Sequence, residues 1–160
     1  MTAAAVTATI ATLLAAFWNQ RTSGQTISAE LAGELSERAV PIIEQKLTMD
    51  WFAGAAGQRM VCVARPLGTD PASAQTISAV ETVYVWALCA TTGTKVRSEM
   101  SKPMAVHLTG PGGVEAPTDG ESHASQVERI FPERLHDVVL GDIRVEDLEA
   151  ALEDRIATTA

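Results

Sequence analysis

The chain predicts an α+β domain: N-terminal helices, an antiparallel meander of about four strands, then C-terminal helices. Two observations carry this. The apolar period is helical as far as Trp51, two-fold from Gln58 to Pro117, and helical again from Ser122 onward. The elements also come in runs of one type, which favours an antiparallel sheet with helices on one face over a parallel sheet built from alternating units.

The first twenty residues, MTAAAVTATIATLLAAFWNQ, carry no charge and include four threonines and seven alanines. Ala and Thr contribute little to membrane insertion compared with Leu or Ile. The first basic residue, Arg21, follows the apolar run, whereas a secretory signal has its basic segment in front. Val6, Ile10, Leu13, Leu14 and Phe17 fall on one helical stripe. Residues 1–24 therefore read as an Ala/Thr-rich amphipathic helix and connection, followed by a single α+β domain over 25–160. The stripe needs a partner: its own domain, a second copy joined through residues 3–18, or a membrane surface. For the last it lacks the Lys and Arg that surface-bound helices usually carry.

Ser28 is placed to cap the next helix. Leu31, Leu35, Ala39, Ile42, Ile43, Leu47 and Trp51 continue a helical stripe, with Glu30, Glu34, Glu37, Arg38, Glu44 and Lys46 largely off it. Pro41 removes a hydrogen bond and crowds the preceding turn, predicting a kink or restart near residue 40. Gly54 and Gly57 end the helical region.

QRMVCVARP then alternates, with Met60, Cys62 and Ala64 on one side and Val61, Val63 and Arg65 on the other, and Pro66 is expected to close this strand. LGTDPASAQT reads as a loop. In VETVYVWALCATTGTKV, Val80 to Val96, the residues Val80, Thr82, Tyr84, Trp86 and Leu88 share one face and Glu81, Val83, Val85, Ala87 and Cys89 the other. TTGT is a turn, Lys95 to Glu99 a third strand, and Met104 to Thr109 a continuation or fourth strand delayed by Pro103. GPGG reverses the chain, and Val114 to Pro117 returns as a short edge. A helix followed by a curled meander suggests a cystatin-like or nuclear-transport-factor-like cone, an analogy of fold that assigns no activity.

SHASQVERIF resumes the helical period, and Pro132 suits the start of another helix. Leu135, Val138, Val139 and Leu140 form an apolar run that Gly141 ends. Asp142 is placed to begin a last helix, with Val145, Leu148, Leu152 and Ile156 on its stripe and Glu146, Asp147, Glu149, Glu153 and Asp154 making its outer face acidic.

Length and composition set the class. At 160 residues, 46% hydrophobic and 20% charged, the chain is one ordinary globular domain and not a disordered segment. Twelve basic against twenty acidic residues give a formal charge of −8. The basic residues are scattered, so nucleic acid is not an expected partner.

Chemistry is sparse in the pattern. Cys62 and Cys89 lie in two strands that can neighbour each other. A bond between them would close a loop of about 28 residues, worth about 3–4 kcal/mol in the chain-entropy model, and would imply an oxidising compartment. Two buried free thiols are the alternative. No Cys-x-x-Cys occurs, and His107, His123 and His136 show no ligand spacing, so neither a metal nor a cofactor is expected. There is no G-x-S-x-G elbow and no phosphate loop. If a catalytic site exists, Asp119 with His123 at the sheet opening is the candidate pair; otherwise Asp119-Gly120 is simply a turn. Trp51, Tyr84 and Trp86 are the candidates for lining a ligand pocket, against the alternative that they fill the core.

The segments DWF (50–52), CVARPLGTD (62–70), VYVWALC (83–89), PTDG (117–120) and IFP (130–132) resemble small, uncharacterised, lipoprotein-like exported proteins of actinobacteria and other Gram-positive bacteria. The resemblance covers about residues 50–132 and implies export, a Cys62–Cys89 bond and no catalytic residue. The functional expectation is a noncatalytic, extracytoplasmic or cell-envelope module that binds a protein or small ligand through the sheet face or the acidic helical surface. The alternatives are a small enzyme with its site near Asp119 and His123, and a cytosolic assembly protein that self-associates through its first helix.

Overall fold

The computed structural model describes residues 25–53, 55–111, 113–118 and 122–159. The amphipathic helix expected before residue 25 lies outside the described residues, and with it the proposed self-association through residues 3–18. Helix α1 (Ala29–Phe52) leads into a meander of β1 (Arg59–Asp70), β2 (Thr82–Thr92), β3 (Glu99–His107) and β4 (Gly113–Glu115). Helices α2 (His123–Ile130), α3 (His136–Leu140) and α4 (Glu146–Thr159) follow. The sheet is antiparallel throughout, in the order β1-β2-β3-β4. The α+β class and the order of helices, strands and helices are as the sequence predicts.

One expectation changes: helices cover both faces of the sheet. Along β2, Val83, Val85, Ala87 and Cys89 join α1 residues Leu35, Ala39, Ile43 and Leu47 in one core. The alternate residues Tyr84, Trp86, Leu88 and Ala90 pack under the C-terminal helices, with Phe131 and Leu135 at one end and Leu148 and Leu152 at the other. A strand with apolar side chains on both faces must be buried on both. The result is a sandwich of helix, sheet and helices.

The two strand prolines do not stop their strands. Pro66 is paired with Val85 inside β1, and Pro103 with Trp86 inside β3. In an antiparallel ladder, alternate residues point their N–H and C=O away from the neighbour. Met60 and Cys62 direct theirs outward, since their N–H groups donate to Thr48 Oγ1 and Glu44 Oε1. Pro66 has the same parity on this edge strand, so its missing N–H costs no ladder bond. Pro103 likewise faces away from β2, at a level that β4 does not reach. Beyond Pro66 a bulge shifts the register by one residue, and β1 continues to Asp70 through the stretch expected to be loop. Gly68 lies under Leu135, whose methyl carbons would stand 3.0 and 3.1 Å from an added Cβ.

Helix α1 is capped by Ser28, which accepts the Leu31 N–H at 3.2 Å. It runs as one element through Pro41; Pro41 and Glu37, whose carbonyl loses its N–H partner, are both exposed. It ends with Ala53 in the left-handed region, so the chain turns one residue before Gly54. At the other terminus, α3 stops at Gly141 as expected, but α4 begins at Glu146, four residues after Asp142. None of the helices among the described residues is long and apolar enough to cross a membrane.

Candidate functional site

The end of the sheet where β2 starts and β3 finishes gathers polar side chains on the face turned toward α2 and α3. Thr82 is paired with both Asp70 and His107 across the ladders, and Glu115 stands on β4 opposite Ala105. Period-two alternation puts Asp70, Thr82, Tyr84, His107 and Glu115 on this one face. Three of them are joined in a chain. Thr82 Oγ1 lies 3.0 Å from His107 Nδ1, and His107 Nε2 lies 3.0 Å from Glu115 Oε1.

The donors in this chain are fixed by elementary chemistry. An ionised carboxylate only accepts, so Nε2 carries the proton shared with Glu115. In the neutral imidazole Nδ1 is then the acceptor, and the Thr82 hydroxyl donates to it. Glu115 thus selects the tautomer that directs a basic nitrogen at a hydroxyl. The chain borders an open cleft of about 250 Å³ lined by Glu81, Thr82, His107, Thr109 and Pro111.

Tyr84 is buried next to this group, tilted against Phe131 with ring centroids 5.7 Å apart. Burial pushes its phenol above the usual value; Asp70 adds to the effect, Arg134 opposes it, and Glu115 adds a smaller push. Arg134 donates to the Thr69 carbonyl at 2.7 Å, which holds it at this end of β1.

The residues expected from the sequence to matter fall in several places. Cys62 and Cys89 are bonded, directly opposite on β1 and β2, with Cα atoms 4.0 Å apart and both side chains sealed between the sheet and α1. Asp119 lies outside the described residues, so its relation to His123 is not part of the described geometry; His123 is exposed at the first position of α2. His136 is structural, its Nε2 donating to the Phe131 carbonyl at 2.8 Å. Tyr84 and Trp86 share the face under the C-terminal helices, and the Trp86 indole donates to Ser101 Oγ at 2.9 Å. Trp51 stands 49% exposed at the end of α1, in the layer across the sheet, so the three aromatics do not line one cavity. Among the described residues, no group of three His, Cys, Asp or Glu side chains is placed to hold a metal ion.

The Thr82–His107–Glu115 chain is what sequence reasoning missed. Its members are separated by 25 and 8 positions, and only the strand registers bring them together. No known protein family, curated protein or solved structure matches the chain.

Proposed function

We propose that the protein is an exported or cell-envelope module that binds a protein or small ligand without transforming it. The observation that carries this reading is the Cys62–Cys89 bond, which joins the two long strands inside the core beneath α1. Bonds of this kind persist where the surroundings are oxidising. Both sheet faces are covered by helices, so the candidate surfaces for a partner among the described residues include the acidic outer layer of the C-terminal helices and the sheet-end cleft. The test is the mass of the native protein, alkylated under denaturing conditions with and without prior reduction. The reading expects two alkylated thiols only after reduction; two alkylated thiols without it would remove the extracytoplasmic assignment.

A second reading, a small enzyme at the sheet opening, is favoured by one observation. The hydroxyl, imidazole and carboxylate of Thr82, His107 and Glu115 stand in a hydrogen-bonded series at the cleft. This moves the candidate site from Asp119 and His123 to residues on the strands themselves.

A further inference from the structure

We propose that Thr82, His107 and Glu115 form a nucleophilic relay for acyl transfer, with small carboxylic esters as the substrate class. The proposal rests on the second reading above and gives it a nucleophile, a base and a substrate. Three features of the structure support it. The proton order is the productive one, since Glu115 fixes Nε2–H and leaves Nδ1 to accept from the Thr82 hydroxyl. The backbone holds all three groups: Thr82 and His107 are direct cross-strand partners, and Glu115 lies diagonally from His107 on β4. Thr82 and His107 also line the open cleft of about 250 Å³ at this end of the sheet.

The reaction follows from these positions. Thr82 Oγ1 attacks the ester carbonyl carbon, forming a C–O bond while its proton passes to His107 Nδ1. The imidazolium that results is stabilised by Glu115 at Nε2. The bond between the carbonyl carbon and the leaving oxygen breaks, and the alcohol departs with the proton from Nδ1. Water then loses a proton to Nδ1 as its oxygen bonds to the acyl carbon; the bond from that carbon to Thr82 Oγ1 breaks, Oγ1 takes the proton back from Nδ1, and the carboxylic acid leaves. Water is the only co-reactant, and no electron is exchanged.

The experiment has two arms, both on the full chain. In the first, the folded protein is treated with an alkyl fluorophosphonate and mapped by mass spectrometry. One adduct on Thr82 is expected. Thr82→Ser should still be labelled, whereas His107→Gln should slow labelling about a hundredfold. In the second arm, p-nitrophenyl acetate and butyrate are hydrolysed by the wild type and by Thr82→Val, with circular dichroism confirming the fold of each variant. Labelling together with ester turnover lost in Thr82→Val supports the proposal. Labelling without turnover overturns the ester class and leaves the nucleophilic site standing. A folded wild type that acquires no adduct on Thr82 overturns the proposal and the enzyme reading together. The wild-type result decides even if a variant fails to fold.

Discussion

The Glu44 carboxylate of α1 accepts the backbone N–H of Cys62 at 2.8 Å, so a helix side chain completes the hydrogen bonding of the sheet's outer edge. Thr48 does the same for Met60 at 2.9 Å, and the Ser36 hydroxyl donates to the Ala64 carbonyl at 3.0 Å. The spacing is natural: one helical turn between Glu44 and Thr48 advances about 6 Å, close to the two-residue step of about 6.7 Å between Cys62 and Met60. An open edge is a template for unwanted strand pairing, and α1 closes this one as it packs.

Glu44 carries a second duty, holding Arg155 of α4 at 3.0 Å and so linking the two helical layers around the edge of β1. Glu44→Ala would leave the Cys62 N–H without its acceptor and Arg155 without its partner. The expected loss is about 1–3 kcal/mol in urea unfolding. Glu44→Gln keeps an acceptor for Cys62 and gives up only the exposed ion pair, so it should lose less than half as much. Equal losses would show that the edge hydrogen bond contributes nothing.

The disulfide makes a separate prediction. Cys62 and Cys89 are fully buried, and alanine at both positions keeps an apolar core while opening the cross-link. The double variant should be destabilised by about 2–4 kcal/mol against the oxidised wild type. Against the wild type measured in reductant it should differ little. A double variant as stable as the oxidised protein would mean that the sandwich does not depend on the bond.

Two glycines should respond in opposite directions to the same change. Gly33 lies on the exposed side of α1 with nothing near an added Cβ, so Gly33→Ala should stabilise by about 0.5–1 kcal/mol through helix propensity. Gly93 has φ +73 in the β2–β3 turn, and a Cβ there would fall 1.9 Å from the Gly57 carbonyl oxygen. Gly93→Ala should cost about 1–3 kcal/mol or more, as the turn must separate from the loop that follows α1. Thermal unfolding of the two variants measures both signs.

How far the sequence disclosed this structure depended on which force acted locally. Ser28, the stripe from Leu31 to Leu47, and the alternation along β2 were legible because capping and burial leave a fixed period in the chain. Pro66 and Pro103 misled because tolerance of proline depends on which neighbour a residue's N–H faces, and that is settled by pairing rather than by the residues alone. The one-faced sheet was misjudged for a related reason: both sides of β2 are apolar, with Val83 and Val85 alternating with Tyr84 and Leu88, a sign of burial on both faces. The Thr82–His107–Glu115 chain left no local mark, since it arises only when three strands fall into register. Register itself was invisible until the turn after Thr92 and the bulge beyond Pro66 were fixed.

Tyr84 is the chain's sole tyrosine, so phenolate absorbance reports this residue alone. Burial, chiefly, disfavours the phenolate, with Asp70 reinforcing the effect and Arg134 working against it. The folded protein should therefore ionise at higher pH than the urea-unfolded chain. In the window that begins near the ordinary phenol value of 10.0 and ends at the raised folded value, the native state holds more protons than the unfolded one. Stability contributed by this group is then full below the window and falls as pH rises through it. Tyr84→Phe should flatten that alkaline decline, and a native titration that coincides with the unfolded one would place the phenol in water instead of beneath Phe131.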